Sequence, residues 1–245
     1  MKKLARIVTG ITILVFASTS FAYSHVFWLS TIKYSNFNNI SKKLYVDPAL
    51  KKSEYKAILD LIYEAKERIR NKYGSFSASP VIVITATAKN ARKYGLGVFP
   101  AKAFALPWEE YVVVSNQTHS LDLLSHELMH AQMREVLGYW RYRKIPTWFD
   151  EGVAMQVDYR ERYKVEYKSF SPQEMDRVKK LDSPALFWTD SKEQDIKNYR
   201  AAKAAVQEIL SIYSSKSLYS LLLKIRKGEK FISLFSQIRS ANEAK

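Results

Sequence analysis

"LLSHELMHAQM", Leu123 to Met133, places two histidines four residues apart with a glutamate directly after the first. On an α-helix each residue turns the side chain by about 100°, so His126 and His130 return to within about 40° of each other and share one face. Glu127 stands about 60° from His130, at the edge of that face. Leu121, Leu124, Leu128 and Ala131 fall on the opposite side. Such a helix has an apolar back to bury and a polar front to present. Three of the four histidines in the chain (His119, His126, His130) lie within one twelve-residue window. The spacing suits two imidazoles on one divalent ion, with a carboxylate beside it.

A catalytic zinc takes three protein ligands and keeps a fourth position for water. The chain has no cysteine. Disulfides, thiolate sites and a cysteine nucleophile are therefore excluded, and a transition metal must rely on imidazole and carboxylate. No histidine follows His130, and the position six residues after it is Val136. The third ligand is then a carboxylate or His119. Glu151, in "IPTWFDEGVAMQV", is the leading candidate, with Asp150 as its substitute; twenty residues separate Glu151 from His130. That gap lets one helix finish, a turn form and a second helix return antiparallel. The T-x-x-D pattern of Thr147 and Asp150 predicts a helix from Trp148 with Glu151 in its first turn, and Gly152 leaves room for close approach.

"SHELMHAQM" followed by "PTWFDEGVAMQ" resembles the gluzincin metallopeptidases, specifically the peptidase-MA-like domains, whose pattern is H-E-x-x-H, a gap, then W-x-x-E-G-x-A. The tail, "NYRAAKAAVQEILSIY" and "LYSLLLKIRKGEKFISLF", is similar to the helical end of that group, where a tyrosine-led helix packs near the site. The likeness spans roughly residues 115–238. It implies Zn2+ held by His126, His130 and Glu151, with Glu127 as general base. It also implies Tyr199 as donor to the developing oxyanion, with His119 the other candidate. The implied reaction is hydrolysis of a protein or peptide substrate. Zinc brings the pKa of a water to about 7, and Glu127 accepts its proton and returns it to the leaving amine. Thermolysin-like members carry an acidic residue four positions after the glutamate ligand, where this chain has Met155. Orienting a histidine would then fall to Asp150, Asp158 or a backbone carbonyl. Two other readings stand beside this one: a zincin fold kept as a silent interaction module, and a zinc amidase acting on cell-envelope peptides.

The opening "MKKLARIVTGITILVFASTSFAYSHVFWLS" carries Lys2, Lys3 and Arg6 ahead of an apolar run from Ile7. Ser20 and Ala22 form a small-x-small site for cleavage after Ala22. The apolar run continues to Leu29, long enough to span a bilayer, with Trp28 at interfacial depth. Residues 1–29 read as a signal peptide or as an N-terminal membrane anchor. Either way the rest is exported, to the periplasmic or extracellular face. The formal net charge of +15 comes from cations, as in "KNARK", "RYRK", "RERYK" and "KIRKGEK", scattered among the many anions of the chain. Such a surface favours acidic envelope components or headgroups. No nucleic-acid motif accompanies it, so nucleic acid is not an expected partner.

"YVDPALKKSEYKAILDLIYEAKERIRNKYG" predicts a helix capped by Asp47, with Pro48 in its first turn and Gly74 at its end. Ile58, Leu61, Ile62, Ala65 and Ile69 would face a core. "PVIVITAT" predicts a buried strand, and "EYVVVS" (Glu110 to Ser115) a second, able to pair with an extended peptide if it lies at an edge. The "KYGLGVFPAKAFALPW" between them is loop-like. Helices follow from Ser120 to about Tyr139 and from "TWFDEG"; then come a polar stretch with Pro172 and Pro184 and a helical tail. The expected fold class is α+β and zincin-like. A small N-terminal sheet, an active-site helix and a helical C-terminal part would fill residues 40–245.

Overall fold

Val81–Thr85 sends alternate side chains to opposite faces of a sheet, as a fully extended chain must. All five are buried, so both faces are covered. The computed structural model describes residues 24–117, 119–165, 169–213, 217–231 and 233–234. Its architecture is α+β. Strands β1 (Asn38–Ser41), β2 (Leu44–Val46), β3 (Val81–Thr85), β4 (Ala101–Ala105) and β5 (Glu110–Ser115) form one sheet in the order β1-β2-β3-β5-β4. The pairs β2–β3 and β3–β5 are parallel, and the outer pairs β1–β2 and β4–β5 are antiparallel.

Helices α1 (Ser24–Ser30), α2 (Tyr55–Tyr73) and α3 (Ala88–Lys93) lie among the strands in sequence. After β5 come α4 (Leu121–Leu137), α5 (Tyr139–Tyr142), α6 (Thr147–Ala154), α7 (Pro172–Val178), α8 (Pro184–Phe187), α9 (Lys192–Tyr213) and α10 (Leu218–Arg226). One sheet face carries Leu44, Val46, Ile82, Ile84, Val112 and Val114 into the main core. There they meet Ile58, Ile62, Ala65 and Ile69 of α2 and Leu124 and Leu128 of α4. The other face, with Val81, Val83, Phe104, Tyr111 and Val113, is closed by Leu29, Ile32, Phe37, Tyr94 and Leu96.

That second layer takes in the N-terminal end of the described chain. Leu29, expected within a signal or anchor, is wholly buried on the sheet. Its burial is worth about 1.5–3 kcal/mol to the fold. Leu29, Ile32 and Phe37, ahead of residue 40, pack in this layer, and β1 runs across position 40. Residues 1–23 of the expected export segment lie outside the described residues. Among the described residues no helix is long and apolar enough to cross a membrane.

Three expectations are corrected here. Glu110–Ser115 is an interior strand, flanked by β3 and β4, so it offers no free edge. The edges are β1 and β4, and β4 comes from the stretch read as a loop. Its sequence, AKAFA, is poor in β-branched residues, and antiparallel pairing with β5 across a short turn is what makes it a strand. Asp47 does not cap α2. Its carboxylate accepts the Ala49 and Ala86 amides at 3.1 and 2.9 Å and the Asn90 side-chain amide at 2.7 Å, tying the end of β2 to the end of β3. The helix begins later, behind a 3-10 turn at Lys52–Glu54, and ends at Gly74 with φ of 94°. A left-handed residue there suits glycine.

Candidate metal centre

Ser120 starts α4 by accepting the Leu123 amide on its hydroxyl at 3.2 Å, which satisfies one orphan donor of the first turn. Every residue from Leu123 to Met133 is buried, His126, Glu127 and His130 included. The expected polar front is therefore nearly closed: α6 packs against α4, and the Tyr199 ring of α9 stands 6.3 Å from that of His126.

Helix α6 begins at Thr147 behind Pro146, so Glu151 lies in the second turn rather than the first. The predicted capping pattern is not formed. The Thr147 hydroxyl donates to the Asp182 carbonyl at 3.4 Å, and Asp150 is turned toward His130. Gly152 leaves room, but for another helix: a Cβ there would stand 2.5 Å from the Ala202 carbonyl oxygen of α9.

Three donor atoms converge between α4 and α6. His126 Nε2 and His130 Nε2 are 3.1 Å apart, and Glu151 Oε2 lies 3.3 Å from the first and 3.6 Å from the second. Ligands at about 2.0–2.1 Å from a tetrahedral ion are separated by about 3.3–3.4 Å. The three observed edges bracket that value. Glu151 Oε2 is buried and has no hydrogen-bond partner, so a ligand position is open to it. His126, His130 and Glu151 can hold a metal ion together.

The outer ring nitrogens face a second set of carboxylates. Asp150 Oδ2 lies 3.1 Å from His130 Nδ1 and accepts the Tyr142 hydroxyl at 2.8 Å. Asp158 Oδ2 lies 3.6 Å from His126 Nδ1. Asp158 is in turn clamped by the Arg160 guanidinium, whose Nε reaches its two oxygens at 2.9 and 3.0 Å. Met155 points elsewhere, into the core.

Charge in this cluster is strongly coupled. Burial works against ionised Glu151, yet His130 and His126 outweigh it and hold the carboxyl down to about 2. Burial alone would lower His130, but Asp150 and Glu151 raise it well above the ordinary range. The carboxylates thus favour positive charge at this point. Burial pushes Glu127 up against the pull of His126, His130 and the Ala103 amide of β4.

Tyr199 does not lead its helix; it lies in the second turn or beyond, after Lys192. Its ring centroid is 6.3 Å from that of His126 and 5.1 Å from that of Phe187, and its hydroxyl accepts the Trp188 indole N–H at 2.9 Å. Burial, then Glu151, raise its pKa well above normal, so it keeps its proton. His119 stands outside the donor group, its Nδ1 2.6 Å from the Asn116 carbonyl in the turn before α4.

Sequence reasoning missed Tyr142, Arg160 and Trp188, each of which holds a residue of the site in place. None carries a motif, because each acts through contacts that exist only after packing. No protein-family model, curated protein or solved structure matches the chain.

Proposed function

We propose that this chain is an exported zinc metallopeptidase of the gluzincin kind, with a peptidase-MA-like, zincin-like domain. The observation that carries the reading is the triangle of His126 Nε2, His130 Nε2 and Glu151 Oε2, at tetrahedral spacing, with buried Glu127 on the same helix. Zinc held there supplies a Lewis acid that acidifies water and polarises a carbonyl.

The chain's own groups do the rest. Asp150 and Asp158 stand 3.1 and 3.6 Å from the Nδ1 atoms, on the side away from the three donors, where carboxylates orient metal-binding imidazoles so that Nε2 points inward. Glu127 accepts a proton from water and returns it to the leaving amine; burial raises its basicity toward the working pH. Tyr199 accepts from Trp188, which leaves its own proton free to donate to the substrate carbonyl oxygen. Strand β4 is a free edge beside α4, suited to an extended peptide that adds a strand to the sheet.

The test is metal content and cleavage of an unstructured protein, with wild type beside Glu127→Gln and Glu151→Ala. Wild type is expected to carry one zinc and to cleave. Glu127→Gln should keep the metal and lose about 100-fold or more in turnover. Glu151→Ala should lose the metal. Equal turnover by wild type and Glu127→Gln would reject the base. Cleavage of wall peptides alone would move the assignment to an amidase.

A further inference from the structure

Away from the metal centre, large apolar side chains stand in solvent where α1 meets the turn between α3 and β4. Val98 is 94% exposed, Phe27 60% and Phe99 51%. Single exposed hydrophobes are ordinary, but a joined set marks an interaction surface. These are joined. Phe27 packs edge-on against Trp28 at 5.1 Å between centroids, and Lys93 Nζ sits 3.9 Å above the Trp28 ring. His25 reaches Phe104 of β4 at 5.2 Å, with Gly95 wedged between them; a Cβ there would meet Phe104 at 2.8 Å and His25 at 3.1 Å. Lys102 Nζ lies over both Phe104 and Phe99, at 5.2 and 5.6 Å.

We propose that this face docks onto an anionic lipid bilayer, with Val98, Phe99 and Phe27 entering the headgroup boundary and the surrounding cations meeting lipid phosphates. Charge is the first argument for that occupant. Residues 24–37 and 86–105 contain Lys33, Lys89, Arg92, Lys93 and Lys102 and not one acidic residue. In a chain with 24 acidic residues such a gap is a directional bias. Anionic headgroups meet charge of one sign wherever the face touches them. The second argument is continuity. The apolar, lysine-led stretch that precedes Ser24 in sequence leads into α1, so on the reading of that stretch as an anchor this face is the part of the fold it would bring to the membrane. Aromatic rings under ammonium groups match the composition of a bilayer boundary, where ring and cation sit at headgroup depth. Strand β4 contributes Lys102 and Phe104, so the docked face adjoins the edge assigned to substrate above; the docking does not depend on that assignment.

The absence of cysteine permits a clean test on the full chain. Val98→Cys carries an environment-sensitive fluorophore; Leu59→Cys, exposed on α2 across the sheet, is the control. Labelled protein is mixed with phosphatidylcholine vesicles with or without phosphatidylglycerol, and then with vesicles holding a nitroxide-labelled lipid. The expected result is a blue shift and several-fold stronger quenching at 98 than at 59, larger on anionic vesicles and weakened by Lys93→Glu with Lys102→Glu. The proposal is overturned if the chain floats with vesicles while the label at 98 keeps water-like emission, since only the N-terminal stretch would then hold it. It is equally overturned if the label at 98 is already shielded without lipid, which would mean that protein covers the face.

Discussion

Asp150 Oδ2 stands 3.1 Å from Nδ1 of His130, and the next residue on the same helix, Glu151, brings Oε2 to 3.6 Å from the ring's other nitrogen. Adjacent carboxylates thus flank opposite edges of one imidazole. The geometry arises because α6 crosses α4 at this level, and Tyr142 pins Asp150 through its hydroxyl at 2.8 Å.

Asp150→Asn removes the charge behind His130 while keeping the size of the side chain. Removing such an outer partner costs about 10–100-fold in metal affinity. Zinc affinity, measured by competition with a chelator, should fall by that order while circular dichroism is unchanged. Unchanged affinity would mean that Asp150 does not orient the ring.

Gly152→Ala should destabilise the fold. Its Cβ would lie 2.5 Å from the Ala202 carbonyl oxygen and 2.6 Å from Val206 Cγ2 on α9. A backbone carbonyl cannot swing aside as a side-chain tip can, so the helices must separate. Overpacking of this kind costs about 1–3 kcal/mol. The urea midpoint reads it, and a midpoint equal to wild type would show that α6 and α9 do not approach so closely.

What was legible before the structure was local periodicity and distance along the chain. The four-residue interval fixes His126 and His130 to one helix face whatever the tertiary context, and twenty residues suffice for a turn and a returning helix carrying Glu151. The β-branched run at Val81–Thr85 and the glycine at 74 mark a strand and a helix end by their own stereochemistry. What could not be read depends on partners distant in sequence. Ala101–Ala105 is a strand because β5 lies beside it. Asp47 looked like a cap and instead binds groups about forty residues on. The front of α4 looked open, but α6 packs against it and Tyr199 of α9 comes up to His126.

Metal binding should appear in stability as well as activity. An ion that binds only the folded chain adds about 2.7 kcal/mol at a free concentration 100 times its dissociation constant. The melting temperature of the zinc-loaded protein should therefore fall on adding a chelator. Glu151→Ala, lacking one of the three donors, should show no such fall. A chelator-insensitive wild type would end the metal assignment.

Glu110 supplies a pH-dependent test at a residue outside the three donors, although the charges of His130 and Asp150 also act on it. It is buried at the head of β5, and Arg134 Nε approaches its Oε2 at 3.0 Å. Both carboxylate oxygens and that Nε nevertheless lack an aligned hydrogen bond. Burial therefore prevails over the Arg134 charge and raises the carboxyl from 4.5 to about 8. A group whose folded pKa is raised contributes stability that is complete below its unfolded pKa and is lost as pH rises through the folded one. Glu110 thus favours folding below about 4.5 and loses that contribution between there and about 8. Glu110→Gln cannot ionise and escapes the loss. Relative to wild type, its melting temperature should rise steadily over that interval and level off above it. A difference independent of pH would show that Glu110 stays ionised throughout, held by Arg134.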